Sequence, residues 1–169
     1  MTIPVPLVPS ALGATPTDRV RAALLLHKHP DTIQAFPAGT RTAADAAAAV
    51  GCSVAQIAKS IVFRVEGAEV AAVVVTSGAN RVDRGRAAAA LGLVLGPADA
   101  AFVKNATGFA IGGVAPVGLV KPAAMLLDED LLPLGDVWAA AGSPVHVFRT
   151  TAAELLRMTG ALVAAVREG

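Results

Sequence analysis

The 169-residue sequence has one cysteine, one tryptophan and no tyrosine. A single thiol, Cys52, cannot close an intramolecular disulfide, and without a second thiol there is no cysteine-based zinc motif. No two of the three histidines have metal-ligand spacing, no Ser/His/Asp order is recognisable, and Cys52 has no base beside it. Conventional metal or nucleophile catalysis therefore finds no support, and neither a metal nor a cofactor is expected. Charge is scarce as well, with 14 Lys and Arg against 13 Asp and Glu and a formal net charge of +1. That balance cannot build the broad phosphate-neutralising surface of a duplex-coating protein, so DNA is not an expected partner and any nucleic-acid contact has to be local. Long apolar runs are missing too. Residues 1–17 are broken by Pro4, Pro6, Pro9 and Pro16, and residues 105–120 by Gly108, Gly112, Gly113, Pro116 and Gly118. Neither supplies the roughly 20 apolar residues of a membrane-spanning helix. With no basic start and continuous apolar run of a secretory signal, the expectation is a cytoplasmic protein with no membrane partner.

What the chain has in plenty is small apolar residues: 54% are hydrophobic and 38 are alanine. Core volume therefore falls to Val, Leu and Ile. The length suits one domain spanning residues 1–169, with the proline-punctuated residues 1–14 as an extended lead-in. Thr15, with Asp18 three positions on, caps a helix that runs to about His29 and is stopped by Pro30. Residues 32–36 have strand composition. Thr42 and Ser53 each start a short helix, the second ending near Lys59, with Gly51 between them. Residues 61–65 and 70–76 are apolar, β-branched runs joined by Glu66-Gly67-Ala68-Glu69, a hairpin signal. Asp83 caps an Ala-rich helix to Leu91, and Pro97-Ala-Asp99 opens another that reaches about Lys104. Strands are expected at 117–120, 125–127, 137–140 and 145–148, followed by a last helix from Thr150/Thr151 to about Met158 with Gly160 after it. Strands outnumber what a doubly wound repeat needs and several are hairpin-linked. The predicted fold is α+β, a single domain with a mixed, largely antiparallel sheet flanked by short helices.

Two segments carry potential chemistry. In Thr107-Gly-Phe-Ala-Ile-Gly-Gly-Val-Ala-Pro-Val-Gly118, Gly112 and Gly113 permit backbone angles other residues avoid, and Pro116 fixes its own. Such a loop either turns several amides toward one anion or oxyanion, or is a tight turn between strands. Lys59, in Ala58-Lys59-Ser60-Ile61, places a charge at the junction of a short helix and an apolar strand, where it needs a partner or ligand unless its head group reaches water. His27, Lys28 and His29 read as structural or solvated residues at a helix end. His146 is a candidate hydrogen-bonder of a substrate site. Arg81, Arg84 and Arg86 form a small basic patch, either a solvated face or a track for a phosphate backbone.

Ala58-Lys59-Ser60 and its hairpin, Ser77-Gly78-x-x-Arg81-Val82-Asp83 leading into the Ala-rich helix, and Thr107-Gly-Phe…Gly-Gly-Val-x-Pro-Val-Gly118, in that order and spacing, resemble the YbaK/ProRS-associated editing family. The resemblance runs from about residue 20 to 166. It implies a freestanding deacylase that hydrolyses the ester of mischarged aminoacyl-tRNA, Cys-tRNA(Pro) or Ala-tRNA(Pro) above others. The implied partners are the tRNA acceptor end and prolyl-tRNA synthetase. It further implies catalytic roles for Lys59, holding the terminal phosphate or the carbonyl region, and for the Gly112–Pro116 loop, Gly112 and Gly113 foremost, whose backbone amides position the ester; the substrate-binding candidates beside them are Ser60, Thr107, Gly108, Phe109, Val114, Ala115, Pro116 and, read from its own segment, His146. Backbone amides that stabilise an oxyanion would suit ester hydrolysis by water, without a triad. The alternative is a non-catalytic module on the same fold that holds a nucleotide, a tRNA end or a synthetase. The chain departs from some family members after the loop, where Gly118-Leu-Val-Lys-Pro122 has one basic residue instead of a pair.

Overall fold

A computed structural model describes residues 15–36 and 42–169. The expected lead-in at 1–14 lies outside the described residues. Helix α1 (Pro16–Leu26) opens with a reciprocal cap: Thr15 Oγ1 accepts from the Asp18 N–H at 3.1 Å, and the Asp18 carboxylate accepts from the Thr15 N–H at 3.0 Å. It stops short of His29 because Lys28 turns left-handed (φ 58°). That turn drops His29 into the interior, where Nδ1 donates to the Pro30 carbonyl at 2.7 Å and Nε2 lies 3.0 Å from Thr150 Oγ1. His29 is thus structural, as its position at a helix end suggested.

β1 (Ile33–Ala35) and α2 (Ala43–Val50) follow, the latter capped by Thr42. The helix expected from Ser53 to about Lys59 is only a single 3₁₀ turn, Val54–Gln56. Ile57 and Ala58 already pair with Trp138 and Ala139, and this tertiary pairing extends the chain. Strand β2 therefore covers Ile57–Val65 and contains Lys59. It forms the expected hairpin with β3 (Ala71–Ser77), in register from Ala58 opposite Ser77 to Arg64 opposite Ala71.

Then come α3 (Arg84–Leu91), the two-residue β4 (Leu95–Gly96), α4 (Ala100–Thr107), β5 (Ala124–Asp128), a 3₁₀ stretch (Glu129–Leu134), β6 (Asp136–Ala140), β7 (His146–Thr151), α5 (Ala152–Thr159) and β8 (Leu162–Ala164). No strand forms at 117–120. Val117 is buried there, but Gly118 turns left-handed directly against the backbone of Arg19 and Val20.

The strands make one mixed sheet in the order β1-β7-β6-β2-β3-β5-β8, with β4 also on β2. The pairs β1/β7, β2/β3, β2/β4 and β6/β7 are antiparallel, while β2/β6, β3/β5 and β5/β8 are parallel. β3 is apolar on both sides. Val73 and Val75 join Leu24, Phe109, Leu127, Phe148 and Leu155 in the larger core, and Ala72 and Val74 meet Ala87, Leu126 and Val166 on the opposite face. Burial on both faces explains the unbroken run of apolar residues that made this strand legible. Among the described residues no helix is long and apolar enough to cross a membrane.

Candidate active site

The site arises from an interruption in the sheet. β2 pairs with β6 only at Ile57 and Ala58, and with β4 only at Arg64 and Val65. Between them, residues 59–63 have no strand partner on that edge among the described residues. A cavity of about 410 Å³ opens there. α2 contributes Ala43 and Ala46 to its wall, the glycine loop Ile111, Gly112 and Val114, and β6 Trp138 and Ala140. Ser143, His146 and Val147 close the far side. The wall is mostly apolar, and among the described residues no carboxylate lines it.

Lys59 and Ser60 project to opposite faces of β2, yet both border the cavity because it lies at the strand's open edge. Lys59 Nζ donates to the Asn80 carbonyl at 2.9 Å and has no acidic partner among the described residues. Burial, aided by the charge of Arg81, pulls its pKa below the ordinary lysine range. Ser60 Oγ is enclosed and has no hydrogen-bond partner among the described residues. Although the residue borders the cavity, that oxygen is closed off from it.

The glycine loop is held from behind. Thr107 Oγ1 donates to the Val103 carbonyl at 2.6 Å and accepts from the Phe109 N–H at 3.1 Å. Phe109 is fully buried beneath the Arg19 guanidinium, which also donates to the Gly108 carbonyl. Ala115 and Pro116 are buried as well. Thr107, Gly108, Phe109, Ala115 and Pro116, expected from sequence to bind substrate, anchor the loop and are not among the residues lining the cavity.

Gly113 also stands behind the wall. A Cβ there would lie 2.8 Å from Ser143 Cα and 2.9 Å from Ser143 N, so only glycine lets the loop press backbone to backbone on the 142–143 turn. Its own N–H is engaged by the Ala110 carbonyl at 3.0 Å. The amides of Gly112 and Val114, residues that do line the cavity, have no partner among the described residues. On the far side Ser143 Oγ lies 2.6 Å from His146 Nδ1 and accepts from the Val145 N–H at 3.1 Å, which fixes the imidazole's orientation.

Residues 37–158 match the family described as an aminoacyl-tRNA editing domain. The chain belongs to that family. Its relatives include the uncharacterised Bacillus subtilis protein YwhH, 30% identical over 136 residues, which span 80% of this chain and 86% of that one. A solved structure described as a candidate trans-editing enzyme for prolyl-tRNA synthetase superposes with a TM-score of 0.85 at 46% identity, covering 91% of this chain and 98% of that one. A hypothetical protein of known structure matches with a TM-score of 0.82 at 28% identity, over 89% and 99% of the two chains.

Sequence reasoning about this editing domain missed Trp138 and Ser143. The sole tryptophan of a chain poor in aromatics was the available signal for the first, whereas Ser143 is defined only by the cavity it borders. Nothing around Cys52 activates its thiol: burial raises its pKa, and Sγ donates to the Ser53 carbonyl at 3.3 Å. Of the basic patch, Arg81 is widely exposed beside the turn that holds Lys59, its Nε 4.0 Å from Glu168.

The depressed pKa of Lys59 has a measurable consequence. If the ammonium form acts, a lowered pKa means that the proton leaves at a lower pH than in an ordinary lysine. Enzymatic deacylation, corrected for spontaneous ester hydrolysis, is expected to fall on its alkaline limb below the ordinary lysine range. The limb should disappear in Lys59→Ala, and an identical limb in both proteins would remove Lys59 from the titration.

Proposed function

We propose that this editing domain acts in trans as a deacylase of mischarged tRNA, with Cys-tRNA(Pro) or Ala-tRNA(Pro) as its substrate. The observation that carries the reading is the cavity itself: small, largely apolar, bordered by one lysine, and lined by two residues with free backbone amides. Its alanine-rich wall suits a short, uncharged side chain and offers no carboxylate to a cationic one. The tRNA(Pro) assignment draws support from the relative described as a candidate trans-editing enzyme for prolyl-tRNA synthetase. That synthetase is a fitting partner, because it supplies the mischarged product.

In the proposed reaction a water oxygen bonds to the ester carbonyl carbon, giving a tetrahedral oxyanion. The bond to the terminal ribose oxygen then breaks, that oxygen takes the proton given up by the attacking water, and the products are a free amino acid and an uncharged tRNA. The amides of Gly112 and Val114 receive the developing negative charge, a role first expected of Gly112 and Gly113. Lys59 holds the phosphate or carbonyl region of the acceptor end. The oriented ring of His146 hydrogen-bonds the aminoacyl group, with Ser60 beside it on the wall.

The test is a panel of purified aminoacyl-tRNAs, incubated with the protein in excess. Rapid release from Cys-tRNA(Pro) or Ala-tRNA(Pro), with Pro-tRNA(Pro) spared, is the expected pattern. Folded protein that binds the acceptor end and releases no amino acid would instead establish the non-catalytic module. Equal hydrolysis of aminoacyl-adenosine and full tRNA would point to a simple esterase.

A further inference from the structure

We propose that Asp128 is the positioning residue for Lys59, acting through the turn at residues 77–80. This rests on the editing reading of the cavity and adds to it a residue that does not line the cavity. The geometry starts from three residues in a row across the sheet. Lys59 on β2 stands opposite Thr76 on β3. One step beyond the Val75–Leu127 pair, Thr76 stands beside Asp128 at the end of β5. Asp128 is fully buried, and none of the described cations forms an ion pair with it. A buried carboxylate is expensive unless its oxygens are satisfied by donors.

The donors are there, and two of the four belong to the turn at residues 77–80. Asp128 Oδ2 accepts from Thr76 Oγ1 at 2.7 Å, from the Ser77 N–H at 3.1 Å and from Asn80 Nδ2 at 2.8 Å. Its Oδ1 accepts from the Asp130 N–H at 2.9 Å. Asn80 Nδ2 also donates to Asp130 Oδ2 at 2.8 Å, so the side-chain amide of Asn80 is clamped between two carboxylates. Further bonds stiffen the turn: Ser77 Oγ to the Ala55 carbonyl at 2.7 Å, and the Asn80 N–H to the Ser77 carbonyl at 2.9 Å.

The cage presents one backbone carbonyl to the site, that of Asn80, and it accepts Lys59 Nζ at 2.9 Å. Lys59 has a flexible four-carbon stem and no acidic partner among the described residues, so this carbonyl is what gives its head group an address. A hydrophobic side chain at 128 would fill the space without the desolvation cost of a charge. What it could not do is hold the turn that aims the carbonyl.

The test is a pair of double-mutant cycles read by single-turnover deacylation, with Asn80→Ala and Asp128→Asn each made beside Lys59 and in Lys59→Ala. Asn80→Ala retains the carbonyl and removes its clamp; Asp128→Asn retains the volume and places a donor among donors. Each is expected to slow deacylation about 10-fold when Lys59 is present and less than about 2-fold further when it is already alanine. Equal fold losses in both backgrounds, or no loss in either, would overturn the positioning role and leave Asp128 as a cap of the following 3₁₀ stretch. Thermal melting checks folding, and if Asp128→Asn does not fold, the Asn80→Ala cycle decides alone. Failure of the underlying reading is separately visible. Wild type without turnover, or Lys59→Ala with undiminished turnover, overturns both proposals, whereas a large Lys59 effect uncoupled from Asn80 overturns only this one.

Discussion

Replacing Lys59 with alanine is expected to lower the single-turnover rate of deacylation by about 10²-fold or more, the usual cost of removing a preorganised electrostatic contact from a reacting site. Its ammonium is the one cationic head group bordering the cavity among the described residues, held by a neutral carbonyl and drawn to no carboxylate. A charge in that state keeps its full attraction for an incoming phosphate or carbonyl oxygen, since no ion pair has to be broken first. Lys59→Met distinguishes this from packing, because the thioether fills much of the same volume. If charge is what matters, both variants lose activity together. Neither should be markedly less stable than wild type, as partly burying an ammonium costs free energy that methionine does not incur. Undiminished turnover by folded Lys59→Ala would remove the lysine from the mechanism. A coincident collapse of thermal stability would instead assign it a structural role.

What could be read from the sequence was whatever is decided locally. Thr15 with Asp18, Thr42, Asp83 and Thr151 each cap the helix they were expected to start, because an N-cap is an exchange between a side chain and amides two or three residues away; α4, expected to open at Pro97, begins instead at Ala100 behind an Asp99 cap. The β2–β3 hairpin was legible for the same reason. Elements made by distant pairing were not. β4 is two residues that exist as a strand only because Arg64 and Val65 lie opposite them, and β8 owes its extension to β5. Lys59 was expected where a helix gives way to a strand, but pairing of Ile57 and Ala58 with β6 draws the whole segment into the sheet.

The site divides along the same line. Lys59, Ser60, Gly112, Val114 and His146, singled out from sequence, do converge on one cavity. The residues between Gly108 and Pro116 look alike as text, yet half of them face inward to hold the loop, and only packing separates wall from anchor. Asp128 and Asn80 carry no sequence signal at all, since a carboxylate at a strand end reads as a surface residue until its neighbours are known.

That separation makes Gly113→Ala the most informative change in the loop, because Gly113 touches no substrate in the proposed mechanism and yet fixes the residues that do. Its added Cβ meets backbone, Ser143 Cα at 2.8 Å and Ser143 N at 2.9 Å, and backbone cannot rotate away as a side chain would. Either the glycine loop lifts or the 142–143 turn retreats. The second route is closed by Gly142, where a Cβ would lie 2.7–2.8 Å from the backbone of Pro16 and Thr17. The same helix start also ties the turn down by a hydrogen bond, since Thr17 Oγ1 donates to the Ala141 carbonyl at 2.8 Å. The loop therefore moves, carrying the Gly112 and Val114 amides with it. A displacement of about 1 Å is enough to cost roughly 10²-fold in rate, while overpacking lowers stability by about 1–3 kcal/mol. The expected result is a folded protein whose kcat falls far more than its melting temperature suggests. Activity that tracks stability alone would mean the loop amides are not positioned by this contact. Gly112→Ala provides the contrast: no atom lies within 4 Å of its Cβ position, so its strain is purely the positive φ of 94°. Gly113→Ala acts by contact with the 142–143 turn and Gly112→Ala by its own backbone conformation alone.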